Sequence, residues 1–190
     1  ALVEGPMRLA VSALAAPHRR GADRQLGHDG PALFAAHPHS QLDTPLMGPS
    51  IPEPGRPKHN GGAAAANIVR TPLTAAAAAL VIGAIPIERS QGGRRSADLA
   101  AGLIVEGWSL LIFPEGGRSP DGWGQPFRGG AAYLAQRCGV PVVPIHLEGT
   151  GRILRKGRSL PRPSTTSVTI GTPLTPHDDE NASRFAARVE

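Results

Sequence analysis

Short unbroken apolar runs alternate along this chain with longer segments whose apolar positions recur every three to four residues. Leu110, Leu111, Ile112 and Phe113 form one such run, closed by Pro114. Glycine-dense polar chain follows, and an apolar helical pattern resumes at Ala131. A short apolar run stopped by proline and turn residues predicts a buried strand feeding a loop that opens onto a helix. The same reading predicts strands over 31–36, 80–89, 140–147 and 166–170, and helices over 96–106, 131–137 and 178–190. In the first of these helices Ser96 is the candidate N-cap and Asp98 lies in the first turn. Leu99, Leu103 and Ile104 make its apolar face, and Gly107 suits its C-terminal cap. In the second, Leu134 and Cys138 share a face and Gly139 is the stop. Pro141 and Pro144 either confine the 140–147 strand to a sheet edge or sit at its ends and bulges. Strands alternating with helices put the chain in the α/β class, and no internal repeat is present.

The pattern fades in the first third. Residues 48–66 carry Pro49, Pro52, Pro54 and Pro57 with Gly55, Gly61 and Gly62, which reads as a turn-rich connector. After Pro72, residues 75–79 are all alanine, a small-faced helix that buries little apolar area. Residues 1–16 lean apolar and precede His18, Arg19 and Arg20. A secretory signal carries its charges first, so this is not one. Two readings stand: a short helix lying on a membrane surface, or an ordinary packing helix. The organisation expected is an N-terminal segment over 1–30 and one folded domain over 31–190, cut short at its C-terminal end.

Composition narrows the function classes. The chain has 190 residues, 40% hydrophobic and 4% aromatic, with 24 glycines and 20 prolines. The formal net charge is +5. A basic balance attracts anionic ligands, membrane surfaces or nucleic acid. The basic residues are scattered, aromatics are few and no recognition module is present, which excludes nucleic acid as the expected partner. One cysteine, Cys138, rules out an internal disulfide and a cysteine zinc cluster. No run approaches the ~18 apolar residues a membrane-spanning helix needs. There is no Gly-x-Ser-x-Gly elbow of a serine hydrolase and no phosphate-binding Gly-x-x-x-x-Gly-Lys-Ser/Thr loop.

Candidate chemistry gathers just past the 110–113 strand. Glu115 and Arg118 follow the strand end, where α/β folds place binding and catalytic groups. Arg118 and Arg128 carry forked donors suited to phosphate. The run Phe113-Pro114-Glu115-Gly116-Gly117-Arg118-Ser119 resembles the Phe-Pro-Glu-Gly-x-Arg-Ser block of the glycerolipid acyltransferases, the family of 1-acylglycerol-3-phosphate acyltransferases. Three further stretches follow the family's order. Residues 37–43, His-Pro-His-Ser-Gln-Leu-Asp, are similar to its Asn-His-x-Ser-x-x-Asp block. Residues 83–89 resemble the strand whose terminal arginine, here Arg89, contacts the substrate phosphate. Residues 140–145 resemble the Val-Pro-Val-x-Pro-Val block assigned to acyl-donor binding, here through Val140, Pro141 and Pro144.

The resemblance implies a glycerol-3-phosphate acyltransferase-like mixed sheet flanked by helices. It implies transfer of a fatty acyl group from acyl-CoA or acyl carrier protein to a hydroxyl of a lysophospholipid or glycerol phosphate. The acceptor phosphate falls to Arg89, Gly116 and Arg118, with Glu115 holding acceptor hydroxyls or locking Arg118. No metal or redox cofactor is called for, the thioester being a co-substrate. The implied location is the cytoplasmic face of a membrane, peripheral or anchored by segments outside this chain. In the family's first block the histidine is the general base and the aspartate orients it. Aligned on Ser40 and Asp43, that histidine falls on Pro38 and the asparagine on His37. Proline cannot take a proton from an alcohol. His39 and Asp43 are spaced to meet on one helical face and form the candidate catalytic pair, with the imidazole displaced by one residue. A displacement of that kind costs on the order of 100-fold. The alternative is an impaired relative that binds acyl-CoA or lipid phosphate without turnover, His37 and His39 being bystanders.

Overall fold

The computed structural model describes residues 17–21, 30–37, 43, 93–115, 125–153 and 162–190. Five strands form one mixed sheet: β1 (Pro17–Arg20), β2 (Leu33–Ala36), β3 (Leu110–Ile112), β4 (Val142–Glu148) and β5 (Thr166–Ile170). Their spatial order is β1-β5-β4-β2-β3. All neighbours are parallel except β4 and β5. Four described helices accompany them: α1 (Gly93–Val105), α2 (Gly130–Cys138), the short α3 (Thr150–Ile153) and α4 (Ala182–Val189). The expected single α/β domain with a mixed sheet is what forms. The predicted 80–89 strand, the 75–79 helix, the 48–66 connector and the 1–16 segment lie outside the described residues.

The two-residue period of β2 divides the core. Leu33 and Ala35 pack with α1, α2 and α4 through Ala100, Ile104, Ala132, Ala135 and Phe185. Phe34 and Ala36 face the other way, onto Leu111, Val143, Ile145 and Ile170. A strand buried on both faces reads as an unbroken apolar run, as Leu33 to Ala36 does. At the far edge, β1 pairs with β5 and carries exposed His18, Arg19 and Arg20. Charges on an edge strand discourage pairing with other chains. The sheet thus draws its edge from residues ahead of the boundary set at 31, because isolated basic residues hide strand character from an apolar pattern.

Helix α1 starts three residues earlier than expected, so Ser96 lies inside it. Its buried face is Ala97, Ala100, Ala101 and Ile104 with Leu103, whereas Leu99 is exposed. The face turned to the core is thus the alanine-rich one. Asp98 joins the two helices through Arg137, Oδ1 to Nη1 at 2.6 Å. The α1 stop is as expected. Gly107 takes φ of 92°, its N–H donates to Ile104 and the Trp108 N–H to Leu103. This paired closure satisfies carbonyls the helix end would orphan. Gly139 ends α2 the same way, in left-handed conformation. The last helix is shorter than the expected 178–190. Asn181 caps it by accepting from the Arg184 N–H at 2.9 Å, and Glu180 stays outside to pair with Arg188.

Strand β4 lies between β5 and β2, so its prolines do not mark an edge. Pro141 precedes the strand and Pro144 sits within it. The Pro144 carbonyl accepts from the Gly171 N–H at 2.8 Å. A residue's N–H and C=O point to the same side of a strand, so the missing proline donor falls where β5 has just ended. Beyond it, Val142 and Leu174 exchange two hydrogen bonds. Two residues, Thr172 and Pro173, then oppose the single Val143, a bulge-like shift of register. The proline is tolerated at a bulge, the second of the two sequence alternatives.

Candidate active site

The site forms where β2 and β3 end. These strands are parallel and in register, Leu33 beside Leu110 and Ala35 beside Ile112. Their carboxyl ends therefore stop at the same level, with His37 following β2 and Pro114 and Glu115 following β3. Open α/β sheets bind ligands outside such strand ends. The turn at Pro114 and Glu115 brings a carboxylate against the imidazole: His37 Nδ1 lies 2.5 Å from Glu115 Oε1. The Glu115 side chain is 1% exposed and that of His37 21%. A buried carboxylate is costly unless paired and hydrogen-bonded, and His37 supplies the partner. Among the described residues Glu115 Oε2 has no hydrogen-bond partner.

The returning limb of the 114–130 loop completes the wall. The Arg128 N–H donates to the Pro114 carbonyl at 3.0 Å, tying the limb to the end of β3. The Phe127 N–H donates to Glu190 Oε2 at 3.1 Å. These two bonds hold the Phe127 ring 4.5 Å from the His37 ring, tilted by 37°. Phe127 also packs against the helix-side core. The imidazole is thus fixed by a carboxylate at one nitrogen and by an aromatic ring beside it, with Arg128 exposed nearby in sequence.

Several sequence candidates are located. Glu115 is at the centre of the site, buried instead of open to the loop. Asp43 is in helical conformation and fully buried. Val140 is buried in the helix-side core, and the Pro141 carbonyl accepts from the Leu33 N–H at 3.0 Å. Pro144 is half-buried and level with Ala35, one strand away from the His37 end. His39, Arg89, Gly116 and Arg118 lie outside the described residues. The residue that sequence reasoning did not place in the catalytic pair is His37, which with His39 is a bystander in the alternative reading. The available signal was its place directly after a short apolar strand. Only the strand order makes the ends of β2 and β3 adjacent.

Comparison with known proteins gives the family. A 55-residue stretch is 53% identical to a chloroplastic 1-acyl-sn-glycerol-3-phosphate acyltransferase of Brassica napus, covering 29% of this chain and 16% of that protein. An 87-residue stretch is 39% identical to a 1-acyl-sn-glycerol-3-phosphate acyltransferase of Chlamydomonas reinhardtii, covering 45% of this chain and 26% of the relative. The matched stretches thus span well under half of these relatives' lengths. The crystal structure of the 1-acyl-sn-glycerophosphate acyltransferase PlsC from Thermotoga maritima superposes with a TM-score of 0.77 at 20% identity. It covers 99% of this chain and 74% of that one, a likeness of fold. The Acyltransferase family model matches residues 18–148. From β1 through β4, including both strand ends that meet at His37 and Glu115, this chain belongs to the glycerolipid acyltransferase family.

Proposed function

We propose that the chain transfers a fatty acyl group from a thioester, acyl-CoA or acyl carrier protein, to a free hydroxyl of 1-acylglycerol-3-phosphate. The observation that carries this reading is the meeting of the 37–43 and 113–119 blocks at adjacent strand ends, seen in the His37–Glu115 contact. An alcohol is a weak nucleophile at neutral pH and needs a base within hydrogen-bond reach. The 37–39 segment offers two imidazoles for that role, His39 with Asp43 being the pair read from spacing. Arg89, Arg118 and the Gly116 amide are assigned to the acceptor phosphate, whose several oxygens suit the planar forked donors of arginine. The 140–144 run is assigned to the acyl donor. No described helix is long and apolar enough to cross a membrane. The acceptor is a membrane lipid, so the site works at a bilayer surface, on the cytoplasmic side where acyl thioesters are found.

The test is transfer of labelled palmitoyl groups from palmitoyl-CoA to 1-acylglycerol-3-phosphate in mixed micelles, for the natural chain and Pro38→His. Transfer by the natural chain supports the reading. Activity only in Pro38→His favours the second reading, motivated by Pro38 at the family's base position: a chain that binds its ligands without turnover. Absence of acyl-CoA binding in both folded proteins refutes both.

A further inference from the structure

We propose that His37, oriented by Glu115, is the proton acceptor of the transfer, in place of the imidazole the family carries one residue later. This rests on the acyl-transfer reading above. With Glu115 as the carboxylate, Oε1 can only accept, and the 2.5 Å contact then puts the hydrogen on His37 Nδ1. The lone pair then resides on Nε2, the nitrogen left for an acceptor hydroxyl. A carboxylate behind one nitrogen fixes the tautomer and stabilises the imidazolium formed at the other. Among the described histidines, His18, His37, His146 and His177, His37 alone is bonded through its ring to a side-chain carboxylate.

The backbone supports the same role. Pro38 removes the family's base, yet a proline restrains the residue before it to extended conformation. His37 directly follows β2, whose Leu33 and Ala35 face the helix-side core. Phe127 packs on that side and lies against the imidazole. The ring is partly exposed, so it is both held and reachable.

The step balances without an added reagent. His37 Nε2 takes the hydroxyl proton as the acceptor oxygen bonds to the thioester carbonyl carbon. The tetrahedral adduct collapses, the carbon–sulfur bond breaks, and the imidazolium returns the proton to the departing thiolate. An ester and a free thiol leave, and Glu115 keeps the Nδ1 hydrogen bond throughout.

The experiment measures transfer in mixed micelles for the full chain, His37→Ala, His37→Asn, Glu115→Gln and His39→Ala, with and without added imidazole. The expected result is a kcat about 100-fold lower or worse in His37→Ala, with KM for the acceptor little changed. Added imidazole should restore part of that kcat, and should not restore His37→Asn, where the amide fills the space. Recovery by a free base is a response a purely structural role does not give. Nitrogen-15 spectra of histidine-labelled natural protein should show His37 as the Nδ1–H tautomer, a signature lost in Glu115→Gln. The proposal is overturned by a folded His37→Ala as active as the natural chain, by abolition in His39→Ala alone, or by an Nε2–H tautomer at His37. A natural chain that binds acyl-CoA yet transfers nothing overturns the functional reading itself, which distinguishes the two failures.

Discussion

Gly149 joins the end of β4 to α3 at φ of 83°, and its surroundings leave no space for a side chain. A Cβ built there lies 2.4 Å from the Thr165 carbonyl oxygen and 3.3 Å from Thr166 Cα. Both contacts are backbone at the start of β5, which pairs with β4, so neither can swing aside as a flexible side chain does. Gly149→Ala therefore carries two costs. The left-handed conformation is worth ~1–2 kcal/mol against an L-residue. Forcing atoms into closed space adds ~1–3 kcal/mol. Their sum, ~2–5 kcal/mol, is a large part of the ~5–15 kcal/mol typical of whole domains. Gly107 is the internal control, because its φ is 92° and nothing lies within 4 Å of its Cβ position. Gly107→Ala bears the conformational term alone. Urea unfolding followed by tryptophan fluorescence reads both variants. With an m of ~2 kcal/mol per molar, Gly149→Ala should lower the midpoint by ~1–2.5 M, and Gly107→Ala by ~0.5–1 M, at unchanged slope. Equal shifts in the two variants would refute the steric argument, and a larger shift for Gly107→Ala would refute the close approach of Gly149 to the Thr165–Thr166 backbone.

Gly102 lies inside α1, exposed and with nothing within 4 Å of its Cβ position, so Gly102→Ala should raise stability by ~0.5–1 kcal/mol in the same unfolding assay. Phe185 is fully buried on α4 among the helix-side core, and Phe185→Ala should cost ~3–5 kcal/mol by urea midpoint. Asn181→Ala loses the α4 cap and should cost ~1 kcal/mol, with Asn181→Asp retaining most of it. The Arg188 hydrogen bond holds the Glu180 carboxyl down to about 2 from an ordinary 4.5, aided by the His177 N–H. A lowered carboxylate pKa contributes stability that is complete above the ordinary value and lost as pH falls from about 4.5 towards about 2. Thermal melts across that range should therefore decline less steeply for Glu180→Gln than for the natural chain.

The strand end that carries Glu115 and the stops of two helices were readable because they are local. Pro114 after four apolar residues puts Glu115 at a strand end wherever the strand goes, and Gly107 and Gly139 mark helix ends through backbone chemistry that needs no partner. The α1 face was misread through Leu99 because periodicity weighs side-chain size. The structure turns Ala97, Ala100 and Ala101 to the core instead. The expected 178–190 helix begins four residues later, because the Asn181 side chain accepts from the Arg184 N–H and caps α4 there.

By itself the sequence determined the α/β class, the strand and helix stops, the family's block order, and the loss of a base at Pro38. These follow from neighbours a few residues apart, where backbone sterics and periodicity act. Tertiary structure alone decided that β2 and β3 lie side by side in register, with 78 positions of chain between His37 and Glu115. It also decided that a proline-bearing strand sits between two others, and that basic residues 18–20 form the sheet edge. Strand order depends on which faces bury together across the whole core, and no local pattern encodes that sum. The physical reason His37 meets a buried carboxylate is therefore a property of the sheet, not of either segment.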